Sequence, residues 1–168
     1  MKLLPILLMI MFSFVSNAQT NSEHNANYPD APTWTLLTQS GEKVSYSDFK
    51  GKPLIITFWG TWCPYCKKLH PGLEKIRVKY AEQGLEILAI SVNEPFGANP
   101  EAELKKRGIH FPTLVEGDDV ALNDFEIMGT PSTIFISPNG KILGSTMESN
   151  PDDPRFEQVA QYLLGLPR

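Results

Sequence analysis

Apolar residues in this chain fall into runs whose lengths and spacings predict its elements. Leu54-Ile55-Ile56-Thr57-Phe58-Trp59 and Leu85-Glu86-Ile87-Leu88-Ala89-Ile90-Ser91-Val92 are nearly unbroken. Runs of that length without alternation are expected of strands buried on both faces. Between them, residues 67–83 carry Leu69, Leu73, Ile76 and Tyr80 at helical spacing, and Gly84 supplies a stop. Pro71 lies inside that helix and is expected to kink it. A strand, a helix and a strand in that order imply a right-handed crossover and parallel pairing. Upstream, Trp34-Thr35-Leu36-Leu37 and Lys43-Val44-Ser45 flank Gln39-Ser40-Gly41-Glu42 and predict a β-hairpin. Ser47-Asp48-Phe49 reads as a helical turn, and Gly51-Lys52-Pro53 as a break. Downstream come a loop over 93–99, a short helix over 100–107 closed by Gly108, a short edge strand within 111–115 and a helix over 119–125. Ser132-Thr133-Ile134-Phe135-Ile136 is a strand entered through Gly129-Thr130-Pro131. Ser137-Pro138-Asn139-Gly140 turns it back into Lys141-Ile142-Leu143-Gly144, Asn-Gly being a strong hairpin signal. A helix over 152–164 closes the pattern. The predicted fold is α/β, a central mixed sheet flanked by helices with an extra N-terminal β-hairpin.

The first residues do not fit that pattern. Lys2 is followed by an apolar run over 3–15, interrupted by Pro5 and Ser13, and then by the small residues Ser16-Asn17-Ala18. This is the make-up of a secretory signal peptide cut after Ala18, and the run falls short of the roughly 20 apolar residues a membrane span needs. No cysteine follows it, so a lipoprotein signal is not expected. Residues 19–30 are polar and read as a flexible leader, which puts the folded domain at 31–168. The 168 residues, 42% hydrophobic, suit one domain with a substantial core. With 15 Lys and Arg against 19 Asp and Glu, the net charge is −4. No basic stripe marks a nucleic-acid surface. An exported location, periplasmic or beyond, permits disulfides and requires dedicated partners to oxidise or reduce them.

Only two cysteines are present, in Cys63-Pro64-Tyr65-Cys66 between the first buried strand and the helix. A thiol at a helix N-terminus meets unpaired N–H groups and the positive end of the helix dipole, which favour the nucleophilic thiolate. The spacing lets the second thiol close a disulfide, and Pro64 suits a first helical turn. A zinc site would need two further ligands, and His24, His70 and His110 are scattered, so no metal is expected. An inert structural disulfide across so small a loop would stabilise little. The pattern therefore reads as a redox dithiol.

Three features together resemble the thioredoxin superfamily: Trp62-Cys63-Pro64-Tyr65-Cys66-Lys67-Lys68, a proline five residues after the second cysteine, and Thr130-Pro131 before a strand–turn–strand with Gly140-Lys141. The extra hairpin, Gly51-Lys52-Pro53, Phe58-Trp59-Gly60-Thr61-Trp62-Cys63 and Gly129-Thr130-Pro131-Ser132-Thr133 are similar to exported TlpA/ResA-like thiol–disulfide oxidoreductases. The resemblance covers about residues 31–166 and implies a thioredoxin-like fold. It also implies a cis bond before Pro131, with the Thr130 backbone presented to an extended client. Two positions depart from the family. Thr57 stands where thioredoxins carry a buried Asp, and Leu69 where many TlpA/ResA-like proteins carry a Glu. Both carboxylates accept the resolving thiol's proton, which leaves His70, Glu94 or a backbone-bound water as candidates.

The resulting expectation is thiol–disulfide exchange. Cys63 attacks a client disulfide, Cys66 resolves the mixed disulfide, Trp62 shields the pair and Pro64-Tyr65 tunes its potential. No cofactor beyond the Cys63–Cys66 disulfide is expected. By the resemblance, clients are disulfide or dithiol proteins, a role toward apocytochrome c thiols among them, and electrons come from a membrane-embedded dithiol carrier. The alternatives are a disulfide oxidase or isomerase, since Pro64-Tyr65 also occurs in oxidising relatives, and a non-catalytic binding module. Peroxidatic sites of the related peroxiredoxins place Thr three residues before the cysteine, where this chain has Gly60.

Overall fold

Side-chain alternation in the buried strands sorts the core into two layers. The computed structural model, which describes residues 27–166, contains β1 (Thr35–Thr38), β2 (Lys43–Ser45), β3 (Leu54–Trp59), α1 (Pro64–Tyr80), β4 (Glu86–Ser91), α2 (Pro100–Lys106), β5 (Thr113–Val115), β6 (Ser132–Ile136), β7 (Ile142–Thr146) and α3 (Pro154–Leu163). One face of β3 sends Ile55 and Trp59 into a cluster with Leu69, Leu73 and Ile76 of α1, Leu104 of α2 and Phe156 and Ala160 of α3. Its other face sends Leu54, Ile56 and Phe58 toward Trp34, Leu36, Tyr46, Val120 and Ala121. Every residue of β3 is buried, as its unbroken apolar run demands. Each large side chain so placed contributes roughly 1.5–3 kcal/mol against leaving it in water.

The seven strands form one sheet in the order β2-β1-β5-β4-β3-β6-β7. β3 pairs parallel with β4, and β4 with β5, while β6 runs antiparallel to β3. The expected hairpin is present as β1 and β2, with Leu36 opposite Val44. Its position corrects one expectation. Residues 113–115 are not an edge strand, because β1 pairs antiparallel with β5 through Leu37↔Val115 and Thr38↔Leu114. The added hairpin extends the sheet past β5 and buries Leu114.

Two further details differ from the pattern-based reading. The helix expected over 119–125 is present but wound wider than an α-helix over Val120–Asp124, the Phe125 N–H reaching the Val120 carbonyl five residues back at 3.2 Å. Asp30, assigned by polarity to the leader, forms a β-bridge and a 2.8 Å ion pair with Lys141, while the Ile142 N–H donates to the Pro29 carbonyl. Pro29 and Asp30, ahead of Ala31, therefore belong to the folded domain. The expected signal peptide and cleavage site, His24 and most of the expected leader lie outside the described residues. No helix among the described residues is long and apolar enough to cross a membrane.

α1 packs closely enough against the segment before α3 that Gly72 has no room for a side chain. A Cβ there would lie 2.1 Å from the Pro151 carbonyl oxygen. Alanine is the better helix former by about 1 kcal/mol, but the clash is with backbone and dominates. Gly72→Ala is expected to lower stability by about 2–3 kcal/mol, the scale of overpacking a tight contact. The urea midpoint measures this, and an unchanged midpoint would mean that the segment around Pro151 yields freely.

Candidate active site

The dithiol sits where β3 hands over to α1. The chain leaves Trp59 and turns through Gly60 to Cys63, the Cys63 N–H donating to the Gly60 carbonyl at 3.0 Å. Cys63 is the N-cap of α1, with extended backbone (φ −85°, ψ 107°), and Pro64 occupies the first helical position, where a missing N–H costs nothing. The sulfur takes the role usually played by a capping oxygen: the Cys66 N–H donates to Cys63 Sγ at 3.1 Å. Cys63 and Cys66 are joined in a disulfide with their Cα atoms 5.3 Å apart. Cys66 is fully buried and Cys63 keeps 2% exposure.

Around this buried pair the flanking aromatics are open, Trp62 at 51% and Tyr65 at 64%. The Trp62 indole folds back over Gly60, where a Cβ would stand 2.4 Å from its Nε1. The same nitrogen points at the Val92 carbonyl, 3.4 Å away. Trp62 and Thr130 line a common groove of about 320 Å³, together with Val92, Leu122 and Met128. The Thr130–Pro131 bond is cis. The Thr130 hydroxyl is buried and has no hydrogen-bond partner.

The two proton-acceptor candidates end up in different places. His70 lies on the buried face of α1, edge-on to Trp59 at 4.9 Å and to Phe111 at 5.4 Å between ring centroids. Burial, with the Arg107 guanidinium adding to it, pushes its imidazole down to about 3. Arg107 can only donate, so its 3.4 Å approach to Nδ1 leaves the ring proton on Nε2, which is buried and unpartnered. Glu94 instead engages the turn before Cys63. Its Oε1 accepts from the Thr61 N–H at 2.9 Å and its Oε2 from the Thr61 hydroxyl at 2.5 Å. The positions that depart from the family hold no acid: Leu69 is fully buried, and Thr57 faces Thr133 at 3.5 Å between hydroxyls.

Sequence reasoning misses the parts played by Thr61 and by Arg107, whose place in Lys105-Lys106-Arg107 reads as a solvated helix face but which is part-buried against α1. Pro71 has no N–H to offer the carbonyl four residues back, which is that of Lys67, immediately after Cys66. Arg107 donates to that carbonyl, so the helix continues through Pro71 to Tyr80. The orphan carbonyl was predictable from the proline, but the arginine that satisfies it was not. Among the described residues no cluster of His, Cys, Asp or Glu could hold a metal ion.

The geometry is that of a helix-capping thiol paired with a buried partner, a form suited to disulfide exchange. A family model described as the AhpC/TSA family matches residues 29–144. The thiol-disulfide oxidoreductase ResA of Geobacillus kaustophilus (strain HTA426) is 32% identical over 160 residues, covering 94% of this chain and 91% of that protein. Its counterpart from Bacillus subtilis (strain 168) is 35% identical over 114 residues, which are 68% of this chain and 63% of that protein. A solved thiol:disulfide interchange protein of the thioredoxin family from Chlorobium tepidum TLS superposes with a TM-score of 0.71 at 27% identity, over 83% of this chain and 99% of its own. With the Cys63–Cys66 pair capping α1 on a thioredoxin-like sheet, the chain belongs to the AhpC/TSA family, as a thioredoxin-like thiol–disulfide oxidoreductase.

Proposed function

We propose that this protein is exported and reduces disulfides in client proteins outside the cytosol. The observation that carries this is Cys63 at the α1 N-cap, its sulfur accepting the Cys66 N–H at 3.1 Å beside the groove shared by Trp62 and Thr130. In the reduced protein the Cys63 thiolate attacks one sulfur of a client disulfide, and the other client sulfur leaves as a thiolate. Cys66 then loses its proton and attacks Cys63 Sγ. The second client thiol is released and the Cys63–Cys66 disulfide remains. Two electrons pass to the client, and the two client thiolates take up two protons. Trp62 and Tyr65 flank the approach, Pro64-Tyr65 tunes the potential, and Thr130-Pro131 shape the groove for an extended client segment.

His70 is poorly suited to take the resolving thiol's proton. A ring that is basic only below about pH 3 cannot draw a proton from a thiol of ordinary pKa about 8.5. Glu94 and a backbone-bound water remain as acceptors. Electrons return to the disulfide from a membrane-embedded dithiol protein, and apocytochrome c thiols are among the clients. No metal or organic cofactor takes part.

The deciding measurement is the potential of the Cys63–Cys66 couple, taken with turnover of a disulfide-bonded protein such as insulin. A reductase is expected to lie toward about −270 mV, thioredoxin's end of the scale, and to turn insulin over catalytically. A potential near about −120 mV would identify a disulfide oxidase instead.

A further inference from the structure

Glu94 comes from a loop that is anchored at its base. The Val92 N–H donates to the Trp59 carbonyl at 2.8 Å, and the Asn93 N–H, on a left-handed residue (φ 51°), donates to Asp118 Oδ1 at 2.8 Å. From that base the carboxylate takes both the N–H and the hydroxyl of Thr61. Thr61 is the second residue of the turn closed by Cys63 N–H to Gly60 O, and the next residue but one is the N-cap of α1. We infer that Glu94 is a positioning residue for Cys63: it clamps Thr61 and so fixes the turn that delivers the Cys63 sulfur to the amides of α1. The inference rests on the reading of Cys63 as the attacking thiol.

Positioning and charge make opposite predictions. A carboxylate near a thiol disfavours the thiolate, so deleting its charge alone lowers the pKa of Cys63. Releasing the turn withdraws the sulfur from the Cys66 N–H and the helix end, which raises it. Glu94→Gln keeps both contacts, since its carbonyl accepts the Thr61 N–H and its amide donates to the hydroxyl oxygen. Glu94→Ala keeps neither. Thr61→Val loses only the hydroxyl contact and is the milder variant should Glu94→Ala fold poorly.

The test is iodoacetamide alkylation of the reduced protein between pH 6 and 9, with the modified cysteine mapped by mass spectrometry. In Glu94→Ala the rate at Cys63 at pH 7 is expected to fall about tenfold, within the range that small misplacements of a reacting group produce, with the pH midpoint moving upward. Glu94→Gln is expected to restore most of that loss without an upward shift, and Thr61→Val to fall between. A Glu94→Gln protein as slow as Glu94→Ala overturns the inference in favour of a role that needs the ionisable carboxyl itself, such as proton acceptance. An unchanged or lowered midpoint in Glu94→Ala, or an unchanged midpoint in Thr61→Val where only that variant folds, also overturns it. First alkylation at Cys66 in the unsubstituted protein is a separate failure: it removes the attacking-thiol reading, and the inference with it.

Discussion

Replacing Cys66 with alanine is expected to turn the protein into a trap that accumulates mixed disulfides with its clients, whereas Cys63→Ala traps none. Of the two sulfurs, the one at the α1 N-cap receives the Cys66 N–H and the field of the helix end. Hydrogen bonds to an ionised sulfur are roughly twice as strong as neutral ones, so this contact favours the Cys63 thiolate once the disulfide is reduced. Cys63 also keeps the pair's small exposure, next to the open Trp62 and Tyr65, while Cys66 has none. Cys66 can therefore act only on a disulfide that Cys63 has already formed. Without it the first exchange proceeds and the second cannot. Turnover of insulin is expected to fall on the order of a thousandfold in either variant, as when one member of a catalytic unit is removed. Non-reducing gels of Cys66→Ala recovered from cells that express it should show high-mass species that dithiothreitol dissolves. Equal trapping by the two variants would refute the assignment of roles.

The elements that were legible in the sequence are those whose signal is local. β3 was readable to its boundaries because burial on both faces leaves no alternation, and β6 and β7 because Asn139-Gly140 marks the turn between them. The start of α1 was readable because Cys63, Pro64 and the apolar spacing agree. What could not be read depends on partners distant in sequence. β5 looked like an edge because nothing within 111–115 reveals that β1 pairs beside it. Asp30 looked like leader because its polarity is the same whether or not Lys141 waits across a bridge. The candidate site divides the same way. Cys63, Cys66 and Pro131 announce themselves by motif. Thr61 gains its meaning only from Glu94, thirty-three residues on, and His70 gains its from the aromatic walls of Trp59 and Phe111.

His70 is also expected to set part of the protein's acid sensitivity. Its folded pKa of about 3 lies below the ordinary 6.5 of an unfolded chain, burial being the larger cause and Arg107 the smaller. Between those values the unfolded chain binds a proton that the folded one refuses, so the stabilising contribution is complete above pH 6.5 and is lost as pH falls toward 3. One such proton gives a slope of about 1.4 kcal/mol per pH unit, or roughly 2–3 kcal/mol between pH 7 and 4.5. His70→Phe keeps an aromatic edge against Trp59 and Phe111 and removes the titration. It also leaves Arg107 its contact with the Lys67 carbonyl. Its stability at pH 7 is expected to shift modestly, by about 1–2 kcal/mol, from the larger ring and the lost Arg107 contact. The informative quantity is the difference between the two proteins as a function of pH. Glu74 and Glu157, whose carboxyls are held below their usual range, titrate in both proteins and cancel in that difference. Urea unfolding at pH 7, 6, 5 and 4.5 should show the original protein losing roughly 2–3 kcal/mol more than His70→Phe. Parallel pH curves would mean that the buried ring ionises at its ordinary value, or that the fold opens to admit water before the imidazole is charged.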